Sequence, residues 1–385
     1  MPKILTVFGT RPEIIKLAPV ISACKQRPAA FTVVSVASSQ HEQLLRRLIG
    51  VFDVQVDYDL RVMRPAQTPD GVCARVLDSL DPILKLERPD AVVVQGDTTT
   101  ALAGALSAFY NRIPLAHVEA GLRSGDADNP FPEEMNRRLI SQLATFHFAA
   151  TERNRATLLR EGVAADRVFV TGNPVVDAVT RIAARSVSDG PVDRLRRIVA
   201  GRRLVVLTTH RRESFGARML ENLRVLRRFV DAHKDVALVF PVHPNPNVVE
   251  ASAEILSGHA RIYLIEPLDY PDFIALLSRA WLIVSDSGGV QEEAPTLGKP
   301  LIVLRDNTER PEAIDAGIAR LVGGDHRRFA AMLEDAARPG SWTAGVRRVP
   351  NPFGSGDSGQ RIADTLARVL VTGSGSREPA VLAAQ

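Results

Sequence analysis

Short apolar runs alternate with longer amphipathic stretches along most of this chain, and they do so in two successive series. An apolar run of strand length followed each time by a helical pattern builds a parallel sheet covered by helices on both faces. In the first series the strand candidates are Ile4–Val7, Phe31–Ala37, Ala91–Gln95, Pro114–Val118 and Phe146–Ala149, with helices expected at Pro12–Ala23, Gln43–Ile49 and Thr98–Tyr110. The second series has strands expected at Leu204–Thr208, Ala237–Pro241, Ile262–Ile265, Leu282–Val284 and Leu301–Leu304. The fold class is therefore α/β, with two Rossmann-like doubly wound domains. The 385 residues exceed what one core usually supports, roughly 250–300 residues, which agrees with two domains.

The series change over between Gly172 and Gly201, where Asn173-Pro174 and an Arg-rich stretch interrupt the pattern. This gives domains at 1–175 and 176–359. The breaker Asn351-Pro352-Phe353-Gly354-Ser355-Gly356 precedes a last helix at 360–371, and the Gly, Ser, Ala and Pro of 372–385 read as a disordered tail.

Lys+Arg of 48 against Asp+Glu of 44 leaves +4, spread along the chain without a dense run. Such a surface suits phosphorylated small molecules; a nucleic-acid partner would call for a clustered patch. Cys24 and Cys73 form no CxxC pair, so neither a disulfide framework nor a Cys-ligated zinc is expected. The apolar start is too short for a signal peptide, and no run reaches the ~20 residues of a membrane span. A soluble, cytoplasmic protein is the expectation, with no membrane association.

Ligands of open α/β sheets bind beyond the carboxyl ends of the strands. Those ends here carry a consistent set of polar groups. After the first strand, Gly9-Thr10-Arg11-Pro12-Glu13 places Arg11 at a helix start, where Arg11 and Lys16 can meet an anion or lie on the surface as ordinary cations. Asp97 follows another strand, where Asp97 or Thr98 would cap the next helix. In His117-Val118-Glu119-Ala120-Gly121 an acid and a base emerge where the alternation stops. Behind Pro130 and Pro132, Glu133, Asn136 and Arg137 share one helix face. Three acids at three strand ends point to a site more than to caps.

In the second domain His210 and Arg211 follow one strand and His243 another; His243 fits a structural role equally well. The strongest local pattern is Ser285-Asp286-Ser287-Gly288-Gly289 between a strand and a helix, which lets backbone N–H groups approach a phosphate. Glu293, one turn later, is placed to accept ribose hydroxyls, and Arg310 opens a further helix fit for a diphosphate. No GxGxxG follows a strand, GxxxxGK[ST] is missing, and no His/Asp/Glu grouping has metal spacing, so neither cofactor nor metal is expected.

Six of these segments resemble the non-hydrolysing UDP-N-acetylglucosamine 2-epimerases: Phe8-Gly9-Thr10-Arg11-Pro12-Glu13, Gly96-Asp97-Thr98, His117 to Arg123, Pro132-Glu133-Glu134-x-Asn136-Arg137, Thr209-His210-Arg211-Arg212-Glu213, and Ser285 to Glu293. The resemblance runs from Lys3 to Ala367 in order. It implies a GT-B-like pair of domains facing across a cleft, the last helix crossing back to the first domain, and a homodimer. It implies reversible conversion of UDP-GlcNAc to UDP-ManNAc for bacterial surface polysaccharides, through elimination of UDP to a 2-acetamidoglucal and re-addition. By position, Asp97, Glu119, Glu133 and His210 would be catalytic. Arg11, Lys16, Ser287, Gly288, Gly289, Glu293 and Arg310 would hold UDP. An activating UDP-GlcNAc site would use Gln40, Gln43, Gln67, Arg211 and His243, together with Glu133; Ala66 stands where such relatives carry an Arg. The alternatives are a 2-epimerase of a modified UDP-sugar such as UDP-diacetamido-glucuronate, a GT-B glycosyltransferase, or a silent UDP-sugar sensor.

Overall fold

Each strand-forming run pairs only with runs of its own series, giving two separate parallel sheets. The structure, a computed structural model, describes residues 1–39, 42–64, 67–185, 192, 195, 197, 199, 201–211 and 214–372. The first sheet contains β1 (Lys3–Phe8), β2 (Thr32–Ala37), β3 (Tyr58–Asp59), β4 (Ala91–Gln95), β5 (Leu115–Ala120), β6 (Phe146–Ala149) and β7 (Val168–Val170), in the order β3-β2-β1-β4-β5-β6-β7. The second contains β8 (Arg203–Thr208), β9 (Val236–Pro241), β10 (Ile262–Ile265), β11 (Leu282–Ser285), β12 (Leu301–Val303) and β13 (Ala319–Leu321), in the order β10-β9-β8-β11-β12-β13. In both, the strand order reverses beside the first strand, which creates a crevice at its carboxyl end.

The central strands are buried on both faces, so they read as continuous Val, Ile, Leu and Ala rather than as alternation. One core gathers Leu5, Val7, Val92 and Val94 with the helices around them. The other gathers Val205, Leu238, Val284 and Phe329. Three strands escaped the sequence pattern, namely β3, β7 and β13. Each is two or three residues long and lies at a sheet edge, where pairing on one side only demands little apolar sequence.

The chain divides into two units: Met1–Asp177 with the segment from Gly354 onward, and Ala178–Phe353. The last helix, Ser358–Thr372, packs on Arg11–Lys25 of the first unit. Asp177 holds its amino end, accepting from the N–H groups of Ser358 at 3.2 Å and Gly359 at 2.9 Å. Gly359 makes that packing possible, because a Cβ there would lie 2.6 Å from the Pro19 carbonyl oxygen. Among the described residues no helix is long and apolar enough to cross a membrane.

Candidate functional site

In the first unit the β4 and β5 ends carry two of the expected acids, each already engaged by neighbours, and the β1 end adds a third carboxylate. Arg11 is exposed at the start of its helix. Glu13, two residues on, is fully buried and accepts from the Gly9 N–H at 3.0 Å, the Thr10 N–H at 2.8 Å, the Thr10 hydroxyl at 2.7 Å and the Thr98 hydroxyl at 2.8 Å. It thereby ties the loop before Arg11 to the loop bearing Asp97. The Thr10-x-x-Glu13 spacing of a capping box was the available sequence signal for it. Burial pushes the Glu13 carboxyl up to about 7 against the pull of those donors.

Asp97 is gripped from the helix Glu133–Leu143. Asn136 Nδ2 donates to the Asp97 carbonyl at 2.8 Å, and Arg137 donates to its carboxylate through Nε at 3.2 Å and through Nη2. Arg137 Nη1 meanwhile reaches the wholly buried Glu134 at 2.8 Å. Burial alone would push the Glu134 carboxyl up, but the Ser124 N–H, Arg138 and Arg137 outweigh it and hold it below the usual range. Glu133 opens the same helix, half-buried.

Glu119 is the last acid of β5, and it has the positive φ of 65° that non-glycine residues seldom adopt. The register against β6 shifts between Val118 and Ala120, so Glu119 is the extra residue of a bulge that re-aims its side chain. Lys16 Nζ donates to its carboxylate, and Gln95 Nε2 does so at 2.6 Å. Lys16, expected on the diphosphate, thus sits buried against Glu119.

His117 has a different place from the strand-end base that the sequence suggested. Strand β5 runs on to Ala120, leaving His117 fully buried with Nε2 on the Gly96 carbonyl at 2.8 Å and Nδ1 without a partner. Its neighbour across the sheet, His147, is buried as well. Burial pushes His117 from 6.5 down to about 3 and His147 from 6.5 down to about 4. Between those limits the unfolded chain binds more protons than the folded one, so stability falls as pH drops from about 6.5 toward 4. Glu13, raised from 4.5 to about 7, acts oppositely, since the folded state binds the extra proton in that window. Urea unfolding at a series of pH values should show net acid weakening. His147→Phe should flatten it and Glu13→Gln should steepen it; a flat profile in the wild type would contradict this.

In the second unit the Ser285–Gly289 loop emerges beside the turn that begins at Thr209–Arg211 because β11 and β8 are neighbours, with Ser285 opposite Thr208. Asp286 is buried beneath the turn and receives the Thr209 hydroxyl at 2.7 Å and the Arg211 N–H at 3.1 Å. The sequence reading quoted Asp286 within its motif and gave it no role. His210 is exposed, and its ring stacks on His243 with centroids 5.4 Å apart.

Gly288 faces three charged groups. A Cβ on it would lie 3.0 Å from Arg310 Nη1, 3.2 Å from Glu309 Oε1 and 3.4 Å from Arg211 Nη2, so a side chain there would crowd this charged cluster by a few tenths of an ångström. Arg310 is buried, with Nε on Glu292 at 2.8 Å and Nη1 on Glu309. Burial opposes ionisation of Glu309, but Arg310, Arg305 and Arg211 overcome it and hold its carboxyl well below the usual range. Glu309 was missed in the sequence because it sits one residue before the arginine that drew notice. Glu293 accepts the Tyr270 hydroxyl at 2.9 Å, a partner with no local signal 23 residues away. The helix after the glycines, Val290–Thr296, has only 7 residues.

Of the residues expected in an activating site, Gln40 and Ala66 lie outside the described residues, as does the side chain of Gln43. Gln67 is bonded to the Arg64 N–H at 3.1 Å and to Arg75 at 3.2 Å. Arg211 lies 3.9 Å from Glu309. Among the described residues no His/Cys/Asp/Glu group could hold a metal ion.

Doubly wound units with a glycine pair beneath arginines and with braced carboxylates at strand ends define a nucleotide-binding α/β protein. A family profile described as UDP-N-acetylglucosamine 2-epimerase matches residues 22–367. The chain is 45% identical over 372 residues to the UDP-N-acetylglucosamine 2-epimerase of Escherichia coli K12, covering 94% of this chain and 98% of that one. It is 41% identical over 364 residues to the Bacillus subtilis protein of that name, with 94% of each chain covered. A crystal structure of the Neisseria meningitidis UDP-GlcNAc 2-epimerase bound to UDP-GlcNAc superposes with a TM-score of 0.88 at 38% identity, covering 95% of this chain and 100% of that one. A S. aureus MnaA–UDP structure gives 0.89 at 38% identity, covering 96% and 97%. The chain belongs to the UDP-N-acetylglucosamine 2-epimerase family.

Proposed function

We propose that this chain inverts C2 of UDP-N-acetylglucosamine reversibly, giving UDP-N-acetylmannosamine, by eliminating UDP and adding it back. The supporting observation is the presence, at the strand ends, of both sets of groups that this chemistry needs. C2 of an N-acetylhexosamine has no adjacent ring carbonyl and is not acidic. Elimination solves this: a base takes the C2 proton while the C1–O bond breaks toward UDP, leaving a 2-acetamidoglucal. Re-addition returns UDP to C1 and a proton to the opposite face of C2. The change is redox-neutral and needs two proton-transfer groups and firm hold on UDP.

In this reading Asp97, Glu119 and Glu133 supply the proton transfers. Arg11, Arg310, Ser287 and the Gly288–Gly289 amides receive the developing diphosphate charge, and Glu293 takes the ribose hydroxyls. Lys16 acts through Glu119. Incubation with UDP-GlcNAc alone in D2O should place deuterium at C2 and produce UDP-ManNAc by NMR. Turnover only with an added acceptor would replace the reading with glycosyl transfer.

A test of the grip follows from Gly289. A Cβ on it would meet Glu293 and Ser287 only at 3.9 and 4.0 Å, so the protein itself accommodates alanine. Gly289→Ala should leave the melting temperature near wild type while UDP binding by calorimetry weakens about tenfold, roughly 1.4 kcal/mol. Unchanged affinity would remove Gly289 from the UDP site.

A homodimer in the cytoplasm completes the reading. Leu86, Phe109 and Tyr110 are exposed on the adjacent helices Pro69–Glu87 and Thr99–Tyr110, an apolar face suited to a second copy. Cys24 and Cys73 are both free thiols, as a reducing compartment favours.

A further inference from the structure

Asp286 does more than stiffen a loop. Its Oδ2 accepts from Thr209 Oγ1 at 2.7 Å, the N–H groups of His210 and Arg211 at 3.1 Å each, and Ser214 Oγ at 3.2 Å. Its Oδ1 takes the His210 N–H at 3.2 Å and lies 3.5 Å from His210 Nδ1. The carboxylate is wholly buried, whereas the imidazole it approaches is 42% exposed at the side chain. A buried anion on one side and solvent on the other give the ring a direction.

The stacked neighbour strengthens the assignment. His243 Nδ1 accepts the Asn245 N–H at 3.2 Å, so its proton is on Nε2 and the ring is neutral. Two stacked imidazolium rings at 5.4 Å would repel, and it is the His210 ring that has a buried carboxylate beside it. Among the described residues, other charged groups around this loop are Arg211, with Glu309 3.9 Å from it, and Arg310 on Glu309.

We propose that Asp286 is a positioning residue for His210, fixing a proton on Nδ1 and directing Nε2 toward the diphosphate of the nucleotide sugar. This rests on the reading that the second-unit loops hold UDP. An Nε2–H so placed donates a hydrogen bond to the phosphate oxygens as the C1–O bond breaks. A buried carboxylate beside Nδ1 favours the doubly protonated ring, the form in which Nε2 carries that donor.

The test is a pH titration of the full-length protein with 15N-labelled histidine, with His210 and His243 assigned by His243→Gln. In the wild type His210 should carry its proton on Nδ1 and should take up its second proton at higher pH than His243. Asp286→Asn should lower the pH of His210 protonation by about one unit. It should also cut kcat about tenfold or more, with KM for UDP-GlcNAc changed by less than about threefold, the split left when a transition-state interaction is lost. A bare Nδ1 on His210 in the wild type would overturn the proposal, even if Asp286→Asn fails to fold. So would an unaltered His210 titration in that variant. Loss of melting temperature with kcat and titration intact would reduce Asp286 to a structural role. Absence of C2 deuteration in the wild type would overturn the epimerase reading, while the imidazole titration would still decide on Asp286.

Discussion

Replacing Arg137 by leucine is expected to cost about 3–5 kcal/mol of stability and to remove most C2 exchange, because two carboxylates lose one shared cation. Glu134 is fully buried and Arg137 is 4% exposed at its side chain, so water replaces little of what is removed. Asp97 loses both Nε and Nη2, and its carboxylate, 25% exposed at the side chain, is released from its fixed orientation. Arg138 keeps its 2.8 Å contact with Glu134, which limits the stability loss. Arg137→Lys should be less damaging to folding, yet an ammonium is a point charge and cannot span two carboxylates as a guanidinium does. Its activity should still fall about tenfold or more, since misplaced acid–base groups lose much of a contribution of roughly 10²–10⁴. Urea unfolding and C2 deuteration measure the two effects. Leucine within about 1 kcal/mol of wild type, with exchange intact, would show that the Asp97 geometry does not depend on this bridge.

The parts of the fold that were legible in the sequence are those where burial leaves a composition signal. Central strands such as Ala91–Gln95 and Leu282–Ser285 are apolar throughout because helices cover both faces. Edge strands such as Tyr58–Asp59 carry no such constraint, and two residues cannot establish a period. Candidate site residues at strand ends stand out for the same reason in reverse: Asp97, Glu119 and Ser287 interrupt apolar runs where glycine permits a turn.

Partnerships were not legible. Lys16 meets Glu119 across 103 residues, and Asp286 meets the His210 N–H across 76, through strand order that no local window contains. A cation near a strand end reads in the sequence as an anion contact alone, and only the fold shows that Glu119 also faces Lys16 and that Glu292 and Glu309 also face Arg310. His117 illustrates the converse. Strand β5 runs on past it, and regular pairing with Val94 and His147 on either side keeps the histidine in the core.

The Lys16–Glu119 pair allows the chemical and structural roles of these buried charges to be separated. Their side chains are 7% and 5% exposed, and Gln95 supplies a further donor to Glu119. Either Lys16→Met or Glu119→Gln alone leaves one buried charge without its counter-charge, a loss of about 3–5 kcal/mol. The double variant removes both charges, and replacement of a whole buried pair by neutral groups is often close to neutral. Stability should therefore return in the double variant to within about 1–2 kcal/mol of wild type. Activity should not return. With Glu119 as a C2 proton-transfer group, both variants that lack its carboxylate should lose roughly 10²–10⁴ in C2 exchange. Lys16→Met should also fall, because the carboxylate remains at its positive-φ bulge without the cation that orients it. UDP affinity adds a third reading. If Lys16 acts through Glu119, its loss weakens UDP binding less than about threefold, whereas a direct diphosphate contact would give tenfold or more. A double variant as unstable as the worse single would mean that the ion pair is not the dominant coupling between these positions. One that regained exchange would exclude Glu119 from the proton transfers and leave Asp97 and Glu133 to perform them.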